Sequence, residues 1–271
     1  MNVRILGAHH FESGSDRYSC FVIDGKLAVD AGALTSTLSA GEQEALRGVL
    51  VTHAHFDHVR DIPSLAANLF SAGRHIDIYA TEKTKEVIQS KLLNGEVYPD
   101  FFSLPANAPT ITWNRVAAGE TREIEGYRVL ALGTNHGEGA LGYYITSKDG
   151  ETLFYSGDTG PGLSSVWKKI APASVMMEVT WPDRMQDFAL RSGHLTPGLL
   201  RLEMEEFRCV RGYLPEITAI HMDRLNEDEI RRELDEVGEA LGTEIVSARE
   251  GLEISLRKDN RAPGLRVATI F

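Results

Sequence analysis

The chain has 271 residues, 42% hydrophobic and 25% charged, and its 28 Lys and Arg against 39 Asp and Glu leave a net charge of −11. That length and composition suit a soluble globular protein that folds without disulfide or metal staples, and no run approaches the roughly 18 apolar residues of a membrane-spanning helix. The acidic balance argues against long polyanions such as tRNA or duplex DNA, whose binding depends on clustered cations.

The opening residues lack the basic stretch and apolar run of a secretory leader, so a cytoplasmic protein with no membrane partner is expected. Short β runs are expected over 3–6, 20–23, 27–30 and 49–52. A helix is expected over 57–71, with Leu65, Ala66 and Leu69 on one face. A strand over 76–80 and a helix capped by Thr81 and running to about residue 92 follow. The stretch 94–107, with Pro99 and Pro105, reads as irregular. Strands are expected over 127–132, 142–146, 152–156, 175–179 and 216–220, with helices over 197–207 and 227–241 and final strands near 244–247 and 252–256. Cys20 and Cys209 form neither a disulfide framework nor a thiolate metal set and read as buried small hydrophobes. No linker or repeat interrupts the chain, so one domain over 1–271 is expected, with two sheets packed face to face and helices outside.

The densest chemical signal is Thr52-His53-Ala54-His55-Phe56-Asp57-His58, directly after the apolar run Gly48-Val49-Leu50-Val51. Four potential ligands within six residues, at the end of a buried strand, suit zinc and related borderline divalent ions. Strand alternation lets His53 and His55 face one way, while Asp57 and His58 at a helix start turn towards a second ion. Three distant residues each close an expected strand: His136, Asp158 and His221. Strand ends opening onto small-residue loops are where ligands gather in layered α/β folds.

The run His53-x-His55-x-Asp57-His58, followed in order by His136, Asp158 and His221, resembles the metallo-β-lactamase superfamily from Val3 to about Ile254. The resemblance implies a single-domain α/β fold, a four-layer αβ/βα sandwich with a dinuclear site at one edge between the sheets. It implies one ion on His53, His55 and His136, another on Asp57, His58 and His221, and Asp158 bridging the two. Asp30, in Ala-Val-Asp-Ala-Gly, matches the family acid that orients the metal-binding loop. Two divalent ions are the expected cofactors, zinc foremost, with manganese or iron as the other candidates.

The ligand set resembles the phosphodiesterase branch, which includes ribonuclease Z and class II cyclic-nucleotide phosphodiesterases. Met177-Glu178-Val179-Thr180-Trp181 resembles a ribonuclease Z His-Glu-Ala-Thr segment, with Met177 replacing its histidine. Gly193-His194-Leu195-Thr196-Pro197 resembles the Gly-His-(Leu/Met)-(Ser/Thr)-Pro of class II enzymes. The segment Asn94-Gly95-Glu96-Val97-Tyr98-Pro99-Asp100-Phe101 resembles their Asn-x-x-(Ile/Val)-Trp-Pro-Asp-Phe, with Tyr98 for the tryptophan. Only 21 residues separate His136 from Asp158, too few for the tRNA-binding arm of bacterial ribonuclease Z, and no Lys/Arg-rich segment offers phosphate contacts. Phe56, where class II enzymes usually carry Leu, and Arg60-Asp61, in place of a small-residue pair, depart from that pattern and bear on nucleotide specificity.

The implied activity is hydrolysis of a small phosphodiester, a 3′,5′-cyclic nucleotide such as cAMP or cGMP foremost, to the nucleoside 5′-monophosphate. The alternatives are a ribonuclease Z-like or other small phosphodiester hydrolase, or a metal-loaded sensor of the same fold. Two cations about 3.5–4 Å apart share a water and lower its pKa towards neutrality. Asp57 belongs to that catalytic centre, His194 is the candidate general acid, and Glu178 holds its ring. Tyr98, Phe101 and Phe102 offer faces for base stacking, and His9 and His10 read as turn residues. No nucleic-acid polymer is an expected partner, and a homodimer is compatible with the family.

Overall fold

Along the short strands, alternate side chains belong to different cores, which is what a sheet covered on both faces requires. The computed structural model describes residues 1–256; residues 257–271 of the expected domain lie outside the described residues. Strands β1 (Asn2–Gly7), β2 (Cys20–Ile23), β3 (Leu27–Val29), β4 (Gly48–Leu50), β5 (Ile76–Ala80) and β6 (Ile111–Arg115) build one sheet. Strands β7 (Thr121–Ile124), β8 (Tyr127–Gly133), β9 (Leu141–Thr146), β10 (Thr152–Tyr155), β11 (Ser174–Glu178), β12 (Glu216–Ile220) and β13 (Ile245–Ser247) build the other. The chain then returns, and β14 (Glu253–Ser255) pairs antiparallel with β1 at the edge of the first sheet. In each sheet an antiparallel part joins a parallel one, β3 to β6 in the first and β10 to β13 in the second.

The inner core lies between the sheets. Val3, Ile5, Phe21, Ile23, Leu27, Val29 and Leu50 meet Val129, Ala131, Tyr143, Ile145, Leu153, Tyr155 and Ile220 there. The intervening residues, such as Leu6, Val22, Ala28 and Val49, face outward into a second cluster, and Phe154, Val175, Met177 and Ala219 face into a third. Helices α1 (Leu34–Thr37), α2 (Ala40–Ala45), α3 (Phe56–Val59), α4 (Ile62–Ser71) and α5 (Glu82–Val87) come from the first half of the chain. Those of the second are α6 (Ser164–Trp167), α7 (Gln186–Ser192), α8 (Pro197–Arg211) and α9 (Glu227–Leu241). Leu34 of α1 and Leu65, Ala66 and Leu69 of α4 fill the first outer core. Trp167 of α6, Leu200, Met204 and Phe207 of α8, and Ile230, Leu234 and Leu241 of α9 fill the second. The result is the expected four-layer αβ/βα sandwich.

Local chemistry sets the element ends. The Thr81 hydroxyl accepts the Thr84 N–H and starts α5, as expected. Thr196 caps α8 in the same way, Pro197 takes the first turn where no N–H partner is needed, and Gly212 ends the helix left-handed. The helix expected over 57–71 is two helices instead. Pro63 has no N–H to offer the Val59 carbonyl, and the Asp61 carboxylate bonds the Thr35 N–H at 2.7 Å, so the chain turns at residues 60 and 61. Beyond α5 the expected helix continues as a π turn over Ile88–Leu92.

Strands β6 and β7 were not anticipated. Both edge their sheets, and β7 buries only Ile124, so they carry little apolar signal. Cys20 is buried as expected, whereas Cys209 is exposed on α8. No helix among the described residues is long and apolar enough to cross a membrane.

His9 also departs from the sequence reading. It is not a solvated turn residue but is 2% exposed, held between Glu250 at 2.9 Å and Glu227 at 3.3 Å. Burial disfavours the charged ring, but Glu250, followed by Glu227 and Asp16, outweighs it and holds the pKa above its ordinary value. A raised native pKa stabilises the fold fully below the unfolded value of about 6.5, and the contribution fades as pH rises through the native value. His9→Gln is therefore expected to lower Tm more at pH 6 than at pH 9. An equal loss at both values in thermal melts would show that His9 contributes by packing alone.

Candidate metal centre

The sequence-predicted ligands converge because the strands that precede them end at one edge of the sandwich. His53 and His55 follow β4, Asp57 and His58 open α3, His136 follows β8, Asp158 follows β10 and His221 follows β12. These seven residues form two groups of ligand atoms, each drawn together within 4.8 Å, His53, His55, His136 and Asp158, and Asp57, His58, Asp158 and His221, while Glu178, His194 and His221 make a third set at the same spacing. In the first, Asp158 Oδ2 lies 3.6 Å from both His53 Nε2 and His136 Nε2, and His136 Nε2 lies 3.0 Å from His55 Nδ1. In the second, Asp158 Oδ1 lies 3.3 Å from His58 Nε2 and 3.5 Å from His221 Nε2. Asp57 Oδ2 completes it, 3.4 Å from His58 Nε2 and 3.1 Å from His221 Nε2. Asp158 thus presents one oxygen to each group.

Two buried carboxylates orient the rings. Asp30, fully buried, accepts the Thr52 N–H at 2.8 Å, the Thr52 hydroxyl at 3.0 Å, the Tyr155 hydroxyl at 3.1 Å and the His58 Nδ1–H at 2.8 Å. Thr52 Oγ1 in turn accepts from His53 Nδ1 at 3.0 Å. On the other sheet Glu178, also fully buried, accepts the Thr180 hydroxyl at 2.9 Å, and Thr180 Oγ1 accepts from His221 Nδ1 at 2.9 Å. Glu178 also takes the His194 Nδ1–H at 2.9 Å and the Thr159 N–H at 3.1 Å. The remaining His136 Nδ1–H goes to the Gly193 carbonyl at 2.9 Å. For His53, His58, His136 and His221 each of these bonds commits Nδ1 and leaves the Nε2 lone pair for the centre. Glycine supplies the necessary close approaches. A Cβ on Gly32 would sit 2.3 Å from the Asp57 carbonyl, and one on Gly157, held at φ +56°, would sit 2.7 Å from the Leu141 carbonyl.

Three polar atoms at the centre, His53 Nε2, His58 Nε2 and Asp158 Oδ1, are buried without a hydrogen-bond partner among the described residues. Unpaired buried polar atoms are costly, and these converge in a set of imidazoles and carboxylates suited to divalent cations. The residues present therefore fit a pair of metal ions. The protein field is correspondingly sharp. Burial, followed by the neighbouring His58, pushes the His53 pKa well down, whereas burial of His58 is outweighed by Asp158, Asp57 and Asp30, which hold it raised. Asp158 is held well below the usual carboxylate range, its burial overcome by His221 and His58. For His194, Glu178 overcomes burial and lifts the pKa to about 9.

His194 stands over the second group, its ring stacked on His221 at 5.6 Å and 4.8 Å from His136. His10, read as a turn residue, lines the same side, 5.7 Å from His221. Other expectations are corrected. Phe101 is buried against Phe70, and the half-buried Phe102 and Tyr98 pack on Trp113 and the first outer core, so packing engages the rings that offered faces for stacking. Met177, which stands where the ribonuclease Z motif carries histidine, faces the second outer core. The residues missed are Thr52, Thr180 and Tyr155. The two threonines lie inside quoted motifs, but hydroxyls give no metal signal of their own.

Residues 27–214 match the family described as the β-lactamase superfamily domain. Among curated proteins, a UPF0173 metal-dependent hydrolase of Myxococcus xanthus is 28% identical over 151 residues, 52% of this chain and 48% of that protein. The chain thus spans about half the length of that relative. Among solved structures, unliganded yeast PDE1 superposes with a TM-score of 0.81 at 16% identity, covering 94% of this chain and 98% of that one. The short form of human tRNase Z superposes with a TM-score of 0.68 at 19% identity, covering 95% and 100%. These likenesses extend the sandwich over nearly the whole described chain.

Asp30 is the support whose removal tests the centre most cleanly. Asp30→Asn keeps the shape and tolerates the residue's φ of 58°, but it removes the charge that holds His58 and Thr52. Losses at such supporting positions run to about 10–100-fold in metal affinity. Metal analysis after dialysis against graded chelator should show that loss. Unchanged affinity would mean that Asp30 serves folding only.

Proposed function

Because the chain belongs to the β-lactamase superfamily domain family, we propose that it is a dinuclear metal-dependent phosphodiesterase of the branch that resembles ribonuclease Z and class II phosphodiesterases. A 3′,5′-cyclic nucleotide is its foremost substrate. The observation that carries the reading is the double cluster that shares Asp158. His53 Nε2, His55 Nδ1, His136 Nε2 and Asp158 Oδ2 would hold one ion. Asp57 Oδ2, His58 Nε2, His221 Nε2 and Asp158 Oδ1 would hold the other. Zinc, manganese and iron all suit this set. When bound, two such ions supply an activated water and neutralise charge on the phosphoryl oxygens.

The chain's own residues do the rest. Water attack on phosphorus breaks the bond to the ribose 3′ oxygen, and that oxygen must leave with a proton. His194 is placed to give it: Nδ1 is committed to Glu178, so Nε2 is left for the substrate. Glu178 is a positioning residue and also compensates the charge of the imidazolium. Likeness to yeast PDE1 supports a small phosphodiester, and the net charge of −11 supports a mononucleotide over a polymer.

Protein loaded with zinc, manganese or iron is expected to hydrolyse at least one of cAMP, cGMP and bis-p-nitrophenyl phosphate. Silence on all three under every loading would overturn the proposal. His194→Ala should lower kcat by about 100-fold or more with metal content intact. Loss of metal in that variant would instead make His194 a ligand.

A further inference from the structure

A file of rings leads outward from the second cluster. His10 lies 5.7 Å from His221, Trp181 lies 5.2 Å from His10 at an edge-on 65°, and Phe188 lies 5.1 Å from Trp181. The file is built by the same chain segments that build the centre. Trp181 directly follows Thr180, which holds His221, and its N–H bonds the Leu195 carbonyl next to His194 at 3.3 Å. It is only half-buried, and Phe188 on α7 is 42% exposed. Large aromatic rings left uncovered at the rim of a polar centre forgo burial that a core position would provide. The Trp181 Nε1–H is buried and has no hydrogen-bond partner among the described residues, so ring contacts are what the indole makes here.

We propose that His10 and Trp181 form the subsite for a flat heteroaromatic group attached to the phosphoester, the nucleobase of a nucleotide whose phosphate sits at the Asp158 centre. The proposal rests on the phosphodiesterase reading for the position of the phosphate. The aromatic character of the subsite singles out a nucleobase over an alkyl chain, because every base has a π face that stacks on such rings. Phe56, 57% exposed and edge-on to Tyr18 at 6.4 Å, is the competing platform on the metal-binding loop itself.

Binding of AMP and of ribose 5-phosphate to zinc-loaded protein, followed by calorimetry and by tryptophan fluorescence, separates base from phosphate. Trp181→Ala is expected to weaken AMP about tenfold or more and to leave ribose 5-phosphate within twofold, at unchanged metal content. Trp181→Phe, which keeps a stacking ring and serves if the alanine variant folds poorly, should recover most of the loss. Equal weakening of both ligands, or a loss that follows Phe56→Ala instead, would overturn the subsite. Wild-type protein that binds AMP far better than ribose 5-phosphate but hydrolyses no phosphodiester would sink the hydrolase reading and leave the subsite standing. Hydrolysis without any preference for AMP would do the reverse.

Discussion

The centre depends on two buried carboxylates that touch no proposed ion. Asp30 and Glu178 each anchor a threonine hydroxyl that takes the Nδ1–H of a histidine, His53 in one case and His221 in the other. Each also binds a second histidine directly, His58 or His194. A neutral imidazole has two tautomers, and only one of them points a lone pair inward. Fixing Nδ1 by a chain of hydrogen bonds removes that choice before any cation arrives. Burying an ionised carboxylate without partners is costly, so each anchor is saturated with donors, four groups in the case of Asp30.

This arrangement repeats the two-sheet architecture at the scale of side chains. Asp30 follows β3 of the first sheet and Glu178 ends β11 of the second, so each half of the chain supplies one carboxylate, one threonine and two histidines. Three of those histidines sit in the two ligand groups, and His194 stands outside them, free for a proton. The asymmetry that matters chemically thus arises within a symmetric frame. Asp158, on the second sheet, then ties the halves together by giving one oxygen to each cluster.

Much of this was legible in the residues. The seven ligand candidates came from a dense local motif and three strand ends, and the central strands were marked by continuous apolar runs. The rest had specific physical reasons to hide. Edge strands β6 and β7 expose polar side chains, so period-two apolar patterning is weak there. The break between α3 and α4 depends on what Asp61 bonds across the fold. Aromatic residues look alike in sequence whether they fill a core or line a mouth. Phe101 is buried against Phe70 while Trp181 is half-buried beside His10, and only packing decides between such outcomes. His9 looked solvated because the two glutamates around it lie more than 200 residues away.

The return of β14 to β1 has a temporal meaning. Residues 2–4 pair with 253–255, the last strand to be made among the described residues. During synthesis the first strand therefore lacks this neighbour until residues 253–255 have emerged, and such non-local pairings close slowly. His221 also follows late, long after His53 and His55. The first ligand group, His53, His55, His136 and Asp158, is complete by residue 158, and the second waits only for His221. The two ligand groups are thus completed at different points along the chain, both ahead of the strand that seals the first sheet.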